Sequence, residues 1–224
     1  MVQKYFGDWL KVIDQKSLNK ILNFLLVEYS KKSILPEMNN IFKAFKLCKL
    51  QDLKVIMLGQ DPYPQKGIAT GILFGNHKDT PEEQLSPSLK VIRDAAVNLE
   101  IPHYCINFDV TLESWAKQGV LMLNSALTVE EGKIGSHTML WRPFIATLLK
   151  NLSEYYTDLV YVLFGKQAQT FTPYITKGYN TIINIEHPAY YARIGKDMPS
   201  KLFYEINSTI KSNYNTEIIW YKEV

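Results

Sequence analysis

The sequence is short of cysteine and histidine and contains no long apolar run. Two cysteines, Cys48 and Cys105, occur among the 224 residues, together with four scattered histidines. Two thiols give no disulfide framework and suit a reducing compartment, and no Cys/His spacing is that of a zinc site. No run has the length of a membrane span, and the first residues lack the apolar segment of a signal peptide. We therefore expect a cytoplasmic protein with no metal, no cofactor and no membrane partner.

The sequence also lacks a strong excess of either charge. Lysine and arginine number 25 against 22 aspartate and glutamate residues, which gives a net charge of +3. Such a balance permits a nucleic-acid partner without requiring one. Hydrophobic residues make up 46%, enough for a folded core, and no repeat or Gly/Ser linker divides the chain. We predict a single domain over residues 1–224, with a helical part over 1–50 and a catalytic core over 54–224.

Three common signatures of α/β enzymes are absent from the sequence. No G-x-G-x-x-G follows an apolar run, and the Gly-Lys pairs lack the earlier glycine of a phosphate-binding loop. The G-x-S-x-G motif of a serine nucleophile is missing as well. These absences argue against a site that cradles nucleotide phosphates and against a serine hydrolase.

Four short apolar runs that alternate with helical patterns predict the fold. The runs are Val55–Leu58, Val120–Leu123, Leu159–Phe164 and Thr181–Ile185. Apolar residues recur at helical spacing over 17–29, 88–99, 142–152 and 199–210, with Ser17 as the predicted cap of the first helix. This alternation is typical of a parallel sheet with helices on both faces. The predicted fold class is α/β, a three-layer α/β/α sandwich around a central four-stranded, mainly parallel sheet.

A polar side chain follows each predicted strand. In chain order these residues are Asp61, Asn124, Lys166 and His187. Ligands of such folds bind beyond the carboxyl ends of the strands, so we expect these groups to meet. An amide reads one edge of a nucleobase, and an aromatic ring such as Phe74 can stack on its face. An acid and an imidazole suit the cation and anion that form when a base–sugar bond breaks. Each group alone also fits an ordinary role as a cap, a turn former or a core ring.

Five motifs occur in a fixed order between Lys54 and Arg193. They are GQDPYP (59–64), SPSLK (86–90), LESWAKQGV (112–120), LMLNSALTV (121–129) and HPAYYAR (187–193). Together they resemble the uracil-DNA glycosylases of the family-1 type, and the C-terminal IIWYKEV resembles that family's closing strand. Several motifs that agree in order and spacing are a specific signal. The first fifty residues contribute little to it.

The resemblance implies a role for each residue that would face the base. Asp61 would position or activate the attacking water and stabilise the sugar cation. His187 would donate, as a neutral imidazole, to O2 of the departing uracil. The other substrate contacts would come from Asn124 on the base edge, Phe74 on the ring face, Tyr63 against C5, and Gln60 beside the base and water.

The resemblance also implies loops that grip bent DNA while the target nucleotide is flipped out. The residues that match these loops are Pro87, Ser88, Gly165, Lys166, Ala189, Tyr191 and Arg193.

Several of these positions depart from the mainstream pattern of the family. Pro64 replaces the histidine of GQDPYH, Ala189 replaces a serine, and Tyr191 stands where a leucine would enter the base stack. Lys166 lies where a serine is common. The proline at position 64 and the HPA-type loop (187–189) resemble the poxviral branch of the family, in which the glycosylase also serves in a polymerase processivity complex. We expect altered grip on DNA before altered chemistry.

The leading hypothesis is an active, metal-independent uracil-DNA glycosylase that gives free uracil and an abasic site. The alternatives are a glycosylase-fold module that tethers DNA or a replication protein, with weak activity, and a relaxed glycosylase for other damaged bases. We expect single- or double-stranded uracil-containing DNA as substrate and a monomer. A protein inhibitor or a replication partner is also consistent with the family. The composition hints at a bacterial or viral source, and a viral protein would also have access to the host nucleus.

Overall fold

A central parallel sheet organises the computed structural model, which describes residues 6–97, 106–176 and 178–223. Its strands are β1 (Val55–Gly59), β2 (Val120–Asn124), β3 (Val160–Phe164) and β4 (Thr181–Ile185). They lie side by side in the order β2-β1-β3-β4, and each neighbouring pair is parallel. The predicted four-stranded sheet is confirmed.

Helices cover both faces of this sheet. In chain order they are α1 (Gln15–Lys31), α2 (Lys43–Leu47), α3 (Pro87–Val97), α4 (Glu113–Ala116), α5 (Thr138–Tyr155), α6 (Gly165–Gln169), α7 (Pro188–Ile194) and α8 (Lys201–Tyr214). Alternate residues of each inner strand point to opposite faces, so both sets of side chains are buried. Ile56 and Leu58 pack with α1, α2 and α5, whereas Val55 and Met57 pack with α3, α4 and α8. This is the predicted three-layer α/β/α sandwich.

The N-terminal residues share the core on the first of these faces. Leu18, Ile21 and Leu25 of α1 belong to the same buried cluster as Ile56. The two-residue strand Ile34–Leu35 pairs antiparallel with Val129–Glu130, which fixes the segment that follows β2. The division into a helical part over 1–50 and a catalytic core stays a prediction.

Some element boundaries differ from the sequence predictions. Ser17 was the wrong cap, because α1 begins earlier and the Asp14 carboxylate accepts the Lys16 N–H at 3.0 Å. An extended Asp14 with a free carboxylate oxygen satisfies the first turn better than a serine inside the helix. The predicted end of the helix over 88–99 lies outside the described residues. Within IIWYKEV, Lys222–Glu223 forms a short strand that pairs with Ile106–Asn107, apart from the central sheet.

No helix within the described ranges is both long and apolar enough to cross a membrane.

Candidate active site

A cavity of about 490 Å³ opens at the carboxyl edge of the central sheet. We call the deeper lining residues the floor: Gln60, Asp61, Phe74, Asn124 and His187. We call the residues around the mouth the rim: Ile134, Ala189, Tyr190 and Arg193. The strand pairing explains the floor, since the parallel strands β1, β2 and β4 all end at this edge.

Asp61 is held by one carboxylate oxygen and leaves the other without a partner. Its Oδ2 accepts from Gln60 Nε2 at 3.1 Å and from the Gly135 N–H at 3.0 Å. Its buried Oδ1 has no hydrogen-bond partner among the described residues. Burial raises the pKa of this carboxyl above 3.8, and the bonds from Gln60 and Gly135 oppose that rise. The group is thus oriented, with one acceptor oxygen available to a bound molecule.

The turn that carries Asp61 is fixed to the end of the neighbouring strand. The Ser125 N–H donates to the Gly59 carbonyl at 3.0 Å, and the Ala126 N–H donates to the Gln60 carbonyl at 3.0 Å. Gly59 pairs with Asn124 in the sheet, and a Cβ at position 59 would lie 2.3 Å from Leu73 Cδ1 and 3.2 Å from Asn124 Oδ1. Glycine is therefore needed for this close approach.

Asn124 ends β2 with its amide at the cavity. Its Oδ1 is buried and has no hydrogen-bond partner among the described residues. Unsatisfied buried acceptors are uncommon in folded proteins and favour a ligand that donates to them. An amide offers an acceptor and a donor side by side, as required to read the edge of a nucleobase.

Phe74 and His187 form an aromatic wall on the floor. Their ring centroids are 5.4 Å apart at 73°, and Phe74 also contacts Phe164 edge-on at 5.2 Å. Phe74 has a φ of 63°, a backbone conformation that non-glycine residues rarely adopt and that often marks functional sites.

The hydrogen bonding of His187 defines which ring nitrogen carries a proton. Its Nδ1 accepts from the Ala189 N–H at 3.1 Å, so the neutral ring carries its hydrogen on Nε2. Burial lowers the pKa of His187 below 6.5, which favours this neutral form. Gly165 makes room for the residue, because a Cβ there would lie 2.9 Å from His187 Cβ.

The stiff turn after Asp61 places a tyrosine and a second proline beside the floor. The Tyr63 hydroxyl lies 3.2 Å from the Phe74 carbonyl and 2.6 Å from Ser86 Oγ. Burial raises the pKa of Tyr63 to about 12, so the phenol stays protonated. The Pro64 carbonyl accepts from the Gly132 N–H at 2.9 Å. Pro64 thereby anchors the same loop whose Gly135 N–H binds Asp61.

The predicted DNA-contacting residues are divided between two adjoining cavities and the surface. Ser88, Ala189 and Arg193 line the main cavity. Gly165 and Lys166 line a neighbouring cavity of about 500 Å³, which shares His187 and Arg193 with the first. Pro87 is exposed at the first position of α3, immediately before Ser88.

The segment after His187 is a helix, α7, and this changes which tyrosine faces the cavity. Tyr191 was predicted to enter the base stack, but it packs partly buried against the core, in a recess shared with Ile183 and Ile185. Tyr190, which the sequence analysis did not single out, lines the cavity and is 39% exposed. The Arg193 guanidinium lies 5.7 Å from its ring centroid.

Ile134 is a second rim residue that sequence reasoning missed. It lines the cavity, is 69% exposed, and immediately precedes the Gly135 that binds Asp61. An isolated apolar residue in a loop carries no sequence signal of its own.

The described part of the chain holds no group of three or more His, Cys, Asp or Glu side chains arranged to bind a metal ion.

Comparisons with known proteins agree with this geometry. The family model described as "Uracil DNA glycosylase superfamily" matches residues 45–211. The chain is 34% identical to "Uracil-DNA glycosylase" of Aliarcobacter butzleri, over 96% of this chain and 94% of that protein. It is 36% identical to "Uracil-DNA glycosylase" of Lactobacillus helveticus, over 98% and 95% of the two chains.

Two solved structures have the same fold. The crystal structure of mimivirus uracil-DNA glycosylase matches with a TM-score of 0.74 and 22% identity, over 97% of this chain and 90% of that one. A mimivirus UNG variant in complex with UGI matches with a TM-score of 0.78 and 24% identity, over 92% and 83%.

Proposed function

The chain belongs to the uracil-DNA glycosylase superfamily, and we propose that its floor residues carry out uracil excision. The protein is a hydrolytic glycosylase of base-excision repair: it breaks the bond between uracil and deoxyribose and releases free uracil, leaving an abasic site. One observation supports the assignment of residues most strongly. Asp61, Phe74, Asn124 and His187 come from separate parts of the chain and meet in one cavity.

Asp61 serves the water and the sugar. Its free Oδ1 accepts a hydrogen bond from a water molecule on the cavity side, while Oδ2 stays fixed by its hydrogen bonds from Gln60 and Gly135. The negative charge also stabilises the cation that develops on the sugar as the base departs. Water oxygen bonds to C1′, the C1′–N1 bond breaks, and the bonding electrons leave with uracil as its N1 anion. The proton lost by the water passes to the Asp61 carboxylate and from there to solvent, and the uracil anion takes up a proton from solvent.

His187 stabilises the departing base. With Nδ1 occupied by the Ala189 N–H, the neutral imidazole presents Nε2–H to the cavity. This donor meets the negative charge that develops on uracil O2. A neutral donor is sufficient, and the lowered pKa of His187 preserves it at neutral pH.

Asn124, Phe74 and Tyr63 select uracil. Asn124 accepts from N3–H and donates to O4, and cytosine presents the opposite pattern at that edge. Phe74 stacks on the ring, as aromatic residues do with unstacked bases. Tyr63 closes the space beside C5, so a thymine methyl group meets the phenol ring.

The rim and the neighbouring cavity hold the DNA. Lys166 and Arg193 supply positive charge beside the floor, and Ser88 lies at the start of α3 where a phosphate can bind. We propose that Tyr190, rather than Tyr191, contacts the bases that flank the flipped nucleotide, because Tyr190 lines the cavity and Tyr191 packs against the core. Association with a protein inhibitor or a replication protein, a monomeric state and a cytoplasmic location remain proposals.

Release of free uracil from a single-stranded oligonucleotide in EDTA tests the function. We expect free uracil together with an alkali-labile abasic site, and no release from a thymine-containing strand. Absence of release at high protein concentration would contradict the proposal and would favour a DNA- or protein-tethering module instead.

A further inference from the structure

A buried chain of polar groups holds the hydroxyl end of the Tyr63 side chain. It runs from the Phe74 carbonyl through the Tyr63 hydroxyl and Ser86 Oγ to Asn76 Oδ1, with separations of 3.2, 2.6 and 2.9 Å. We call these four groups the Tyr63 anchor. Ser86 and Asn76 are 7% and 1% exposed, so the anchor is shielded from solvent. Neither residue lines the cavity.

The hydroxyl of Ser86 determines which hydrogen bonds the Tyr63 anchor contains. The Phe74 carbonyl and Asn76 Oδ1 are acceptors, and the two hydroxyls between them carry one proton each. Three separations therefore share two hydrogens. The 2.6 Å separation between the Tyr63 hydroxyl and Ser86 Oγ is the shortest of the three and too short for two oxygens with no hydrogen between them, so one hydroxyl donates to the other there.

The orientation of the Asn76 amide favours hydrogen bonds with Ser86 and leaves its own nitrogen without a partner among the described residues. The Ser86 N–H donates to Asn76 Oδ1 at 3.3 Å, so the amide oxygen and not the nitrogen must face Ser86. Asn76 Nδ2 is then buried with no hydrogen-bond partner among the described residues. A buried unsatisfied amide nitrogen is unfavourable, and the two hydrogen bonds that Asn76 Oδ1 accepts from Ser86 offset this cost.

From these contacts we infer that Ser86 and Asn76 are positioning residues that fix the Tyr63 ring beside C5 of the bound pyrimidine. They thereby set the discrimination between uracil and C5-substituted bases. This inference rests on the proposed function, because it assumes that Tyr63 closes the space beside C5. The ring itself is joined to the turn by rotatable bonds, and the hydroxyl end is where the anchor holds it.

Substitution of Ser86 tests the inference through specificity rather than through activity alone. The readout is kcat/KM for an oligonucleotide with 5-chlorouracil divided by that for the uracil oligonucleotide. Chlorine is about the size of a methyl group and makes the base a better leaving group, so slow excision stays measurable. We expect Ser86→Ala to raise this ratio about fivefold over the unsubstituted protein, the change that loss of one neutral hydrogen bond produces.

Tyr63→Phe removes the other partner of the same hydrogen bond, the phenol hydroxyl. It should also raise the ratio, and the double variant should match Tyr63→Phe alone, because Ser86 acts through the phenol hydroxyl. Ser86→Thr keeps a hydroxyl and should restore the original ratio.

A second buried serine provides the control. Ser153 is 6% exposed, and its Oγ donates to the Lys150 carbonyl at 3.0 Å and accepts from the Thr176 N–H at 2.8 Å, away from the cavity. Ser153→Ala should lower Tm without changing the ratio. An unchanged ratio in Ser86→Ala, or multiplicative effects in the double variant, would overturn the inference. Failure of the proposed function is distinct, since the unsubstituted protein would then release no uracil.

Discussion

The floor and the rim of the cavity are built differently. Asp61 and His187 on the floor each have one polar atom bound by a backbone N–H and come at or just after the ends of β1 and β4. On the rim, Ile134 and Tyr190 are exposed and belong to a loop and a seven-residue helix. The floor therefore has its geometry before substrate binds, as electrostatic catalysis requires. The rim is exposed, and we expect substitutions there to change DNA binding more than the chemical step.

The largest expected effect on kcat comes from substitution of the floor residue Asp61. Asp61→Asn should lower kcat by about 10²–10⁴, because the acceptor for the water and the charge opposite the sugar cation are both lost. Tm should be unchanged or higher at neutral pH, since burial already disfavours the ionised carboxylate and raises its pKa. Single-turnover uracil release and thermal unfolding measure the two quantities.

Asp109 is a matched control for this substitution. Burial tends to raise its pKa, but hydrogen bonds from Thr111 and Ser114 outweigh burial and hold the pKa below 3.8. Its ionised form therefore stabilises the fold at neutral pH, and that contribution is lost as pH falls. Asp109→Asn should lower Tm and keep the rate. Activity retained in Asp61→Asn would contradict the floor assignment.

His187→Ala should lower kcat by about 10²–10³, the usual effect of removing one preorganised donor.

The pH profile of kcat/KM tests the protonation states assigned to His187 and Asp61. His187 has a pKa below 6.5 and Asp61 a pKa above 3.8. Both act deprotonated, so kcat/KM should be constant near pH 7 and fall on acidification between these two values. In His187→Ala, the part of the decrease in kcat/KM that comes from protonation of the imidazole should disappear. An acid limb that is centred above pH 6.5 and is absent in His187→Ala would count against a neutral His187 as donor.

The contrast between floor and rim also explains what the sequence could predict. The meeting of Asp61, Asn124 and His187 in one cavity was predictable, because each follows an apolar run at a parallel sheet's carboxyl edge, and the order of motifs pointed to the same residues. Tyr190 was not, because the choice between adjacent tyrosines depends on the rotation of α7 against α3. Ile134 reaches the rim through hydrogen bonds of its loop with Asp61 and Pro64, which connect residues far apart in sequence.

Gly165 joins the floor to the neighbouring cavity, and its substitution should move His187. Gly165→Ala adds a Cβ 2.9 Å from His187 Cβ at a φ of +79°, so the imidazole must shift. We expect kcat to fall about ten- to a hundredfold, as small misplacements of reacting groups do. Gly67→Ala is the control, because Gly67 has a φ of +78° and a Cβ added there would have no atom within 4 Å. Equal loss of rate in both variants would show backbone strain, not displacement of His187.

The two tyrosines of α7 are expected to differ in role, with Tyr190 contributing to DNA binding and Tyr191 to packing of the core. Tyr190→Ala should lower kcat/KM on duplex substrate about five- to tenfold and less on single strands, since stacking on flanking bases supports flipping in the duplex. Tyr191→Ala should mainly lower Tm, because this ring packs partly buried against the core. The measurements are steady-state kinetics on both substrates and thermal unfolding. The reverse result, with Tyr191→Ala losing duplex activity at unchanged Tm, would restore Tyr191 as the stacking residue.

The smallest expected effect is a change in salt dependence at Lys166. This exposed lysine lines the neighbouring cavity beside Arg193, and neutralising one phosphate releases about one counterion. Lys166→Ala should therefore reduce the slope of log K against log salt for duplex binding by about one, with kcat nearly unchanged at saturating substrate. Lys20→Ala on α1 removes an equal charge from a helix that lies outside both cavities and should leave the slope unchanged. An unaltered slope in Lys166→Ala would place this residue away from the DNA and would narrow the contact surface to the rim.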